Sequence, residues 1–164
     1  MATFKERFDR LPPETFTMES ISISPIRDDY DLWFATVECT LAQGQEDLVN
    51  PAGFSIGRAY LRPDANIPCI IWRGESRIGY IVFRKWVGSE ATSWSYYLDK
   101  DWQGKGFGKT AAKLSVQILK AAMPELPIKL STEKDNEKAQ RLYRSIGFQL
   151  SHELDGDDLV FVYE

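Results

Sequence analysis

The sequence predicts a mixed α/β fold, a mainly antiparallel sheet flanked by helices, and three patterns predict it. Three runs with strand character, Pro68 to Trp72, Arg77 to Trp86 and Thr92 to Leu98, are separated only by Arg73-Gly74-Glu75-Ser76 and by Gly88-Ser89-Glu90. They read as an antiparallel meander. Further on, Ala111, Leu114, Ser115, Ile118, Leu119 and Ala122 fall at i, i+3, i+4, i+7, i+8 and i+11, the stripe of a helix lying on a sheet. Finally, Phe148 to Leu154 and Leu159 to Tyr163 flank the turn Asp155-Gly156-Asp157 as two closing strands.

The remaining elements follow in order. Residues 1–20 carry Pro12-Pro13 and mixed polarity, an N-terminal extension that packs on the domain or stays partly loose. Residues 21–164 read as one domain with one active site. Ile21 to Ile26 alternates apolar and polar residues as a strand does; Asp28-Asp29 then caps a helix through Leu32, Trp33, Val37 and Leu41. After the turn-rich stretch from Gly44 to Gly53, Phe54 to Leu61 reads as a second short helix, stopped by Arg62-Pro63-Asp64. The long helix ends at Pro124 and Pro127, and Ile128 to Ser131 is a short strand. A helix from about Asn136 turns Ala139, Leu142 and Ile146 to the core before Gly147 ends it.

Composition bounds the function. The 164 residues are 43% hydrophobic and 27% charged, as in a soluble globular protein. A net charge of -4 draws this surface neither to nucleic acid nor to anionic lipid, and a cationic small substrate is the more natural match. The first ten residues lack the apolar stretch of a signal peptide and no segment has the length of a membrane span, so a cytoplasmic protein is expected. Cys39 and Cys69 read as buried small hydrophobes. His152, the single histidine, reads as a surface or packing residue, and no metal site can be assembled.

The sharpest chemical signal is Gln103-Gly104-Lys105-Gly106-Phe107-Gly108-Lys109, between the strand ending at Leu98 and the long helix. Glycine costs a helix roughly 1 kcal/mol relative to alanine, so three in five positions at a helix start need a compensating reason. Close approach of backbone N–H groups to an anion supplies it, since a helix N-terminus is a phosphate cradle that side chains would obstruct. Gly108-Lys109-Thr110 ends like a nucleotide-binding P-loop, but the glycine that pattern requires five residues earlier is Gln103. The dinucleotide pattern fails too, because Lys109 stands where its third glycine belongs.

The segment Gln103 to Gly108 is similar to the Q/R-x-x-G-x-G/A turn of the GNAT superfamily of acyl-CoA N-acyltransferases. Leu130 to Glu133, then Asn136-Glu137 and Ala139 to Phe148, resemble that family's next strand and helix, with the pattern N-E-x-A-x-x-L-Y-x-x-x-G-F. Within the superfamily the chain looks most like the bacterial spermidine/spermine acetyltransferase type, including Glu153 to Val160. The resemblance spans residues from about 21 to 163 and implies a strongly twisted sheet that splays near Leu98, with coenzyme A wedged between two strands.

It also implies roles. Backbone groups of Tyr96, Tyr97 and Leu98 would pair with the pantetheine arm of acetyl-CoA. The amides of Gly104, Lys105, Gly106, Phe107, Gly108 and Lys109, in the turn that Gln103 opens, would take the pyrophosphate, with Lys105 and Lys109 adding charge. Asn136, Gln140 and Tyr143 lie at i, i+4 and i+7, a polar stripe beside the core. The family's matching asparagine contacts coenzyme A, and its matching tyrosine, here Tyr143, is the expected general acid that protonates the departing thiolate. No metal or covalent intermediate is needed.

The implied reaction is direct acetyl transfer to a small primary amine, a polyamine before a protein N-terminus, an amino acid or an aminoglycoside. A non-catalytic acyl-CoA sensor stands as the alternative. No general base emerges: Trp94 and Ser95 occupy the places where some polyamine acetyltransferases keep a carboxylate, and Glu38, Glu46 and Asp47 read as solvated surface charge. The sequence is silent on oligomeric state, and a homodimer stays open.

Overall fold

A computed structural model describes residues 1–164. The elements are α1 (Phe4–Asp9), β1 (Thr17–Met18), β2 (Ile21–Pro25), α2 (Asp29–Trp33), α3 (Ala52–Leu61), β3 (Asn66–Arg73), β4 (Ser76–Arg84) and β5 (Ser93–Leu98). They continue with α4 (Phe107–Ala122), β6 (Ile128–Thr132), α5 (Glu137–Ser145), β7 (Gln149–Asp155) and β8 (Asp158–Tyr163). Five strands form one antiparallel sheet in the order β1-β2-β3-β4-β5, and three form a second in the order β6-β8-β7. The meander, the long helix and the closing hairpin of the sequence are all present.

Strands β3 and β4 are nearly continuous runs of apolar residues because both faces of the sheet are covered. On one face α1 and α4 lie over Ile21, Ile23, Ile71, Ile81, Phe83 and Leu98. On the other, Phe34, Ala35 and Ala52 cover Ile70, Tyr80 and Val82. Residues 1–20 pack rather than hang loose. Phe8 is buried with its ring centroid 5.6 Å from that of Phe83, and Thr3 and Glu6 form a reciprocal capping box that starts α1.

The helix after Asp28 differs from its expected form. It widens into a π-type turn, in which the Cys39 N–H reaches the Phe34 carbonyl at 2.8 Å, and it ends at Glu38 rather than running to Leu41. Its inner face is also different. Asp31, Phe34 and Ala35 are buried, whereas Leu32, Trp33 and Val37 are 39%, 57% and 53% exposed. The reason is an ion pair: the fully buried Asp31 carboxylate accepts from Arg77 Nε at 2.9 Å and from the Arg27 amide at 3.1 Å. That anchor rotates the helix and overrides the apolar stripe. No helix is long and apolar enough to cross a membrane.

Candidate active site

The site begins where the two sheets part. Strands β5 and β6 run parallel and meet only at a bridge between Thr92 and Ile128, with the Thr92 N–H on the Pro127 carbonyl and the Lys129 N–H on the Thr92 carbonyl, each at 2.9 Å. Beyond it they belong to different sheets, the splay the resemblance implied. Backbone groups alternate in direction along a strand. Asp99 donates to the Ile78 carbonyl at 2.8 Å, so Tyr97 and Ser95 share its orientation toward β4. Trp94, Tyr96 and Leu98 have the orientation of Thr92, into the split. Tyr96 and Leu98 thus present their N–H groups along a free edge. Tyr97 does not: its backbone faces β4, and its hydroxyl donates to the Ala35 carbonyl at 3.4 Å on the opposite face of the sheet.

The glycine turn follows that edge directly. The Asp99 carboxylate accepts from the Asp101 N–H at 3.0 Å and folds residues 100–102 into a 3-10 turn. Gly104 and Gly106 then take φ of 73° and 85°, left-handed values that disfavour any side chain. Gly106 is the N-cap of α4 and supplies no capping side chain. The amides of Gly104 through Lys109 donate to no acceptor within the chain, so six N–H groups gather at the positive end of a 16-residue helix. Lys105 and Lys109 are exposed beside them, and the Phe107 ring is engaged with Trp102, centroids 6.0 Å apart. The arrangement suits a multiply charged anion.

Gln103 has a different role from its neighbours. Its side-chain amide nitrogen donates to the Leu98 carbonyl and to Gln45 Oε1, both at 2.9 Å, so it braces the turn.

Helix α5 lies over the second sheet. The Asn136 side-chain oxygen accepts from the Ala139 N–H at 3.1 Å as the N-cap, and Gln140 donates to the Lys134 carbonyl at 2.9 Å. Both side chains therefore hold the β6–α5 turn, leaving the Asn136 amide nitrogen and the Gln140 amide oxygen without partners. Tyr143 is half-buried, its ring centroid 5.8 Å from those of Phe148 and Phe161. Burial pushes its phenol up to about 12. Burial also raises the Tyr96 phenol, with the neighbouring Tyr143 phenol adding to it. Tyr96 of β5 and Tyr143 of α5 are thus neighbours that pack on the same core.

Glu38 and Asp47 are exposed, and Glu46 accepts from the Gly44 N–H at 2.9 Å in its own loop. Trp94 is buried against Phe148 and cannot act as a base. Both thiols are raised by burial, Cys39 to about 12 with Asp99 adding to the effect, which holds them in the protonated form. His152 is exposed on β7. No group of three metal-binding side chains converges. Sequence reasoning missed Asp99, which also accepts from the Thr40 N–H at 2.9 Å, and Gln45. An aspartate just after a strand and before a glycine turn is a turn-forming signal, whereas nothing local marks Gln45.

Three comparisons place these features. A model of the acetyltransferase (GNAT) family matches residues 28–148, which include the free edge, the glycine turn and Tyr143. A probable spermine N(1)-acetyltransferase of Bacillus subtilis subsp. natto is 42% identical over 60 residues, which cover 37% of this chain and 40% of that protein. The match thus spans about two fifths of that relative's length. Among solved structures, spermidine N-acetyltransferase from Vibrio cholerae with CoA and spermine superposes with a TM-score of 0.70 at 15% identity, covering 87% of this chain and 93% of that one. AAC(6')-Ib in complex with parmomycin and acetyl-CoA gives a TM-score of 0.70 at 19% identity, covering 88% and 92%. These two likenesses establish the fold. The family model covers most of the chain, and the chain belongs to the acetyltransferase (GNAT) family.

Proposed function

We propose that the protein transfers the acetyl group of acetyl-CoA to a primary amine, with a polyamine such as spermidine or spermine as the favoured acceptor. One observation carries the transfer chemistry: the free edge of β5 at Tyr96 and Leu98 leads within a few residues to six unpartnered amides at the start of α4. An extended amide-bearing arm ending in a pyrophosphate matches that surface. Acetyl-CoA has this shape, and its thioester supplies the activated acyl group.

The residues divide the work as follows. Free-edge N–H groups of Tyr96 and Leu98 orient the arm and face the oxygen that gains charge when the amine nitrogen attacks the thioester carbon. The carbon–sulfur bond breaks, and the Tyr143 hydroxyl gives its proton to the departing thiolate. The phenol is fully protonated near neutral pH and so holds that proton until it is needed. The amine loses its own proton to water. Asn136 contributes through its amide nitrogen, and Lys105 and Lys109 through charge.

Support for a polyamine comes from the named activity of the partial relative and from the net charge of -4. Thiol release from acetyl-CoA, measured against polyamines, amino acids, aminoglycosides and short peptides, tests the reading. Release with spermidine or spermine is expected. Release with another acceptor alone would keep the chemistry and overturn the polyamine assignment, whereas silence across the panel with retained CoA binding would favour a sensor.

A further inference from the structure

Gln45 lies in the loop between α2 and α3, on the opposite side of the first sheet from α4, yet its side chain is paired with the glycine turn. Gln45 Nε2 donates to Gln103 Oε1 at 3.0 Å, and Gln103 Nε2 donates back to Gln45 Oε1 at 2.9 Å. The exchange is closed at both ends. Gln45 Oε1 also accepts from the Ala42 N–H at 3.2 Å, and Gln103 Nε2 also donates to the Leu98 carbonyl. Every polar hydrogen of the Gln103 amide is therefore used, and turning either amide over would set donor against donor. Both residues are half-buried, which limits competition from water.

A second attachment lies a few residues away. The Thr40 N–H donates to Asp99 Oδ2 at 2.9 Å, and the Lys100 N–H donates to the Thr40 carbonyl at 2.7 Å. Residues 40–45 are thus pinned at both ends to residues 98–103, the segment that sets the end of the free edge and the start of the glycine turn. Two elements about 58 positions apart in sequence are thus tied to each other at two places.

We propose that Gln45 is a positioning residue for the cofactor seat: it touches no cofactor atom itself, and through Gln103 it holds the Leu98 edge and the α4 amides in register with each other and with the loop between α2 and α3. The inference rests on the reading that the pyrophosphate sits at Gly104 to Lys109. A consequence is that this loop and the cofactor turn are energetically coupled, so a change at one is felt at the other.

CoA itself is the probe, titrated calorimetrically into the full chain. Gln45→Ala is expected to raise its dissociation constant about tenfold, the scale of one to two net hydrogen bonds. With spermidine as acceptor, KM for acetyl-CoA rises in parallel while kcat at saturation stays within about twofold, a split that partial unfolding would not produce. Gln103→Ala gives a similar loss, and the double variant is no worse than the weaker-binding single, because both act through one pair. An unchanged CoA affinity in Gln45→Ala, or losses that add in the double variant, overturns the proposal. Gly106→Ala run alongside separates the two readings. If it weakens CoA while Gln45→Ala does not, the pairing has no role and the pyrophosphate seat stands; if neither weakens CoA, the seat is elsewhere and the proposal falls with it.

Discussion

The Tyr96 hydroxyl donates to the Gly108 carbonyl at 3.1 Å. This bond ties the free edge of β5 to the first turn of α4, so the two surfaces that would grip the ends of one extended ligand are fixed relative to each other. Gln103 adds a second tie, from the other side of the turn, to the Leu98 carbonyl. Leu98 therefore offers the split its N–H and not its carbonyl. The proposed cofactor seat is therefore preorganised, and binding there would need little ordering of the chain.

Tyr143→Phe removes one hydroxyl from a ring that is otherwise held by Phe148 and Phe161, so the fold and CoA affinity should be retained. Turnover should fall about a hundredfold, the lower range for a positioned general acid. The pH profile carries the same claim. Because the phenol is pushed up to about 12, it stays protonated through the working range, and kcat/KM should rise with pH as the amine deprotonates, with no descending limb from Tyr143 below about pH 11. A descending limb near pH 9 that disappears in the phenylalanine variant would contradict this.

Gly79→Ala tests the geometry of the edge from behind. A Cβ at Gly79 would stand 2.6 Å from the Tyr97 carbonyl oxygen and 2.8 Å from Leu98 Cδ2, so β5 must move away from β4. The expected cost is about 2 kcal/mol, or roughly 5 °C in melting temperature. CoA affinity should fall with it, since the Tyr96 and Leu98 N–H groups shift toward the split. A stable variant with parental CoA binding would show that the edge does not contact the cofactor.

The glycine turn and the strands of the meander were legible because their signals are local: three glycines at one helix start, and alternating or continuous apolar runs bounded by turns. The failures have long-range causes. Leu32, Trp33 and Val37 form a convincing stripe, but Asp31 pairs with Arg77, 46 residues away, and turns that stripe to solvent. Tyr97 sits between two residues that face the split, and which of them do so depends on the register with β4, which β5 alone does not encode. Asn136 and Gln140 look free on a helical wheel, yet both are bonded to the turn that starts α5. Gln45 meets Gln103 only through the fold.

Phe8→Ala tests whether residues 1–20 belong to the same cooperative unit as the rest. Phe8 is buried between Phe83 and Phe16, with ring centroids 5.6 Å and 5.1 Å away. Truncation should cost about 3–4 kcal/mol and leave a single unfolding transition at lower temperature. An unchanged main transition would mean that α1 folds and unfolds apart from the sheet.

The most direct test of the cofactor seat is amide hydrogen exchange, followed residue by residue with and without saturating CoA. Tyr96, Leu98 and Gly104 through Lys109 should become strongly protected, while Tyr97, already facing β4, should change little. Binding of CoA with protection confined to other segments, or with Tyr97 protected in place of Tyr96 and Leu98, would contradict the account of where the cofactor lies.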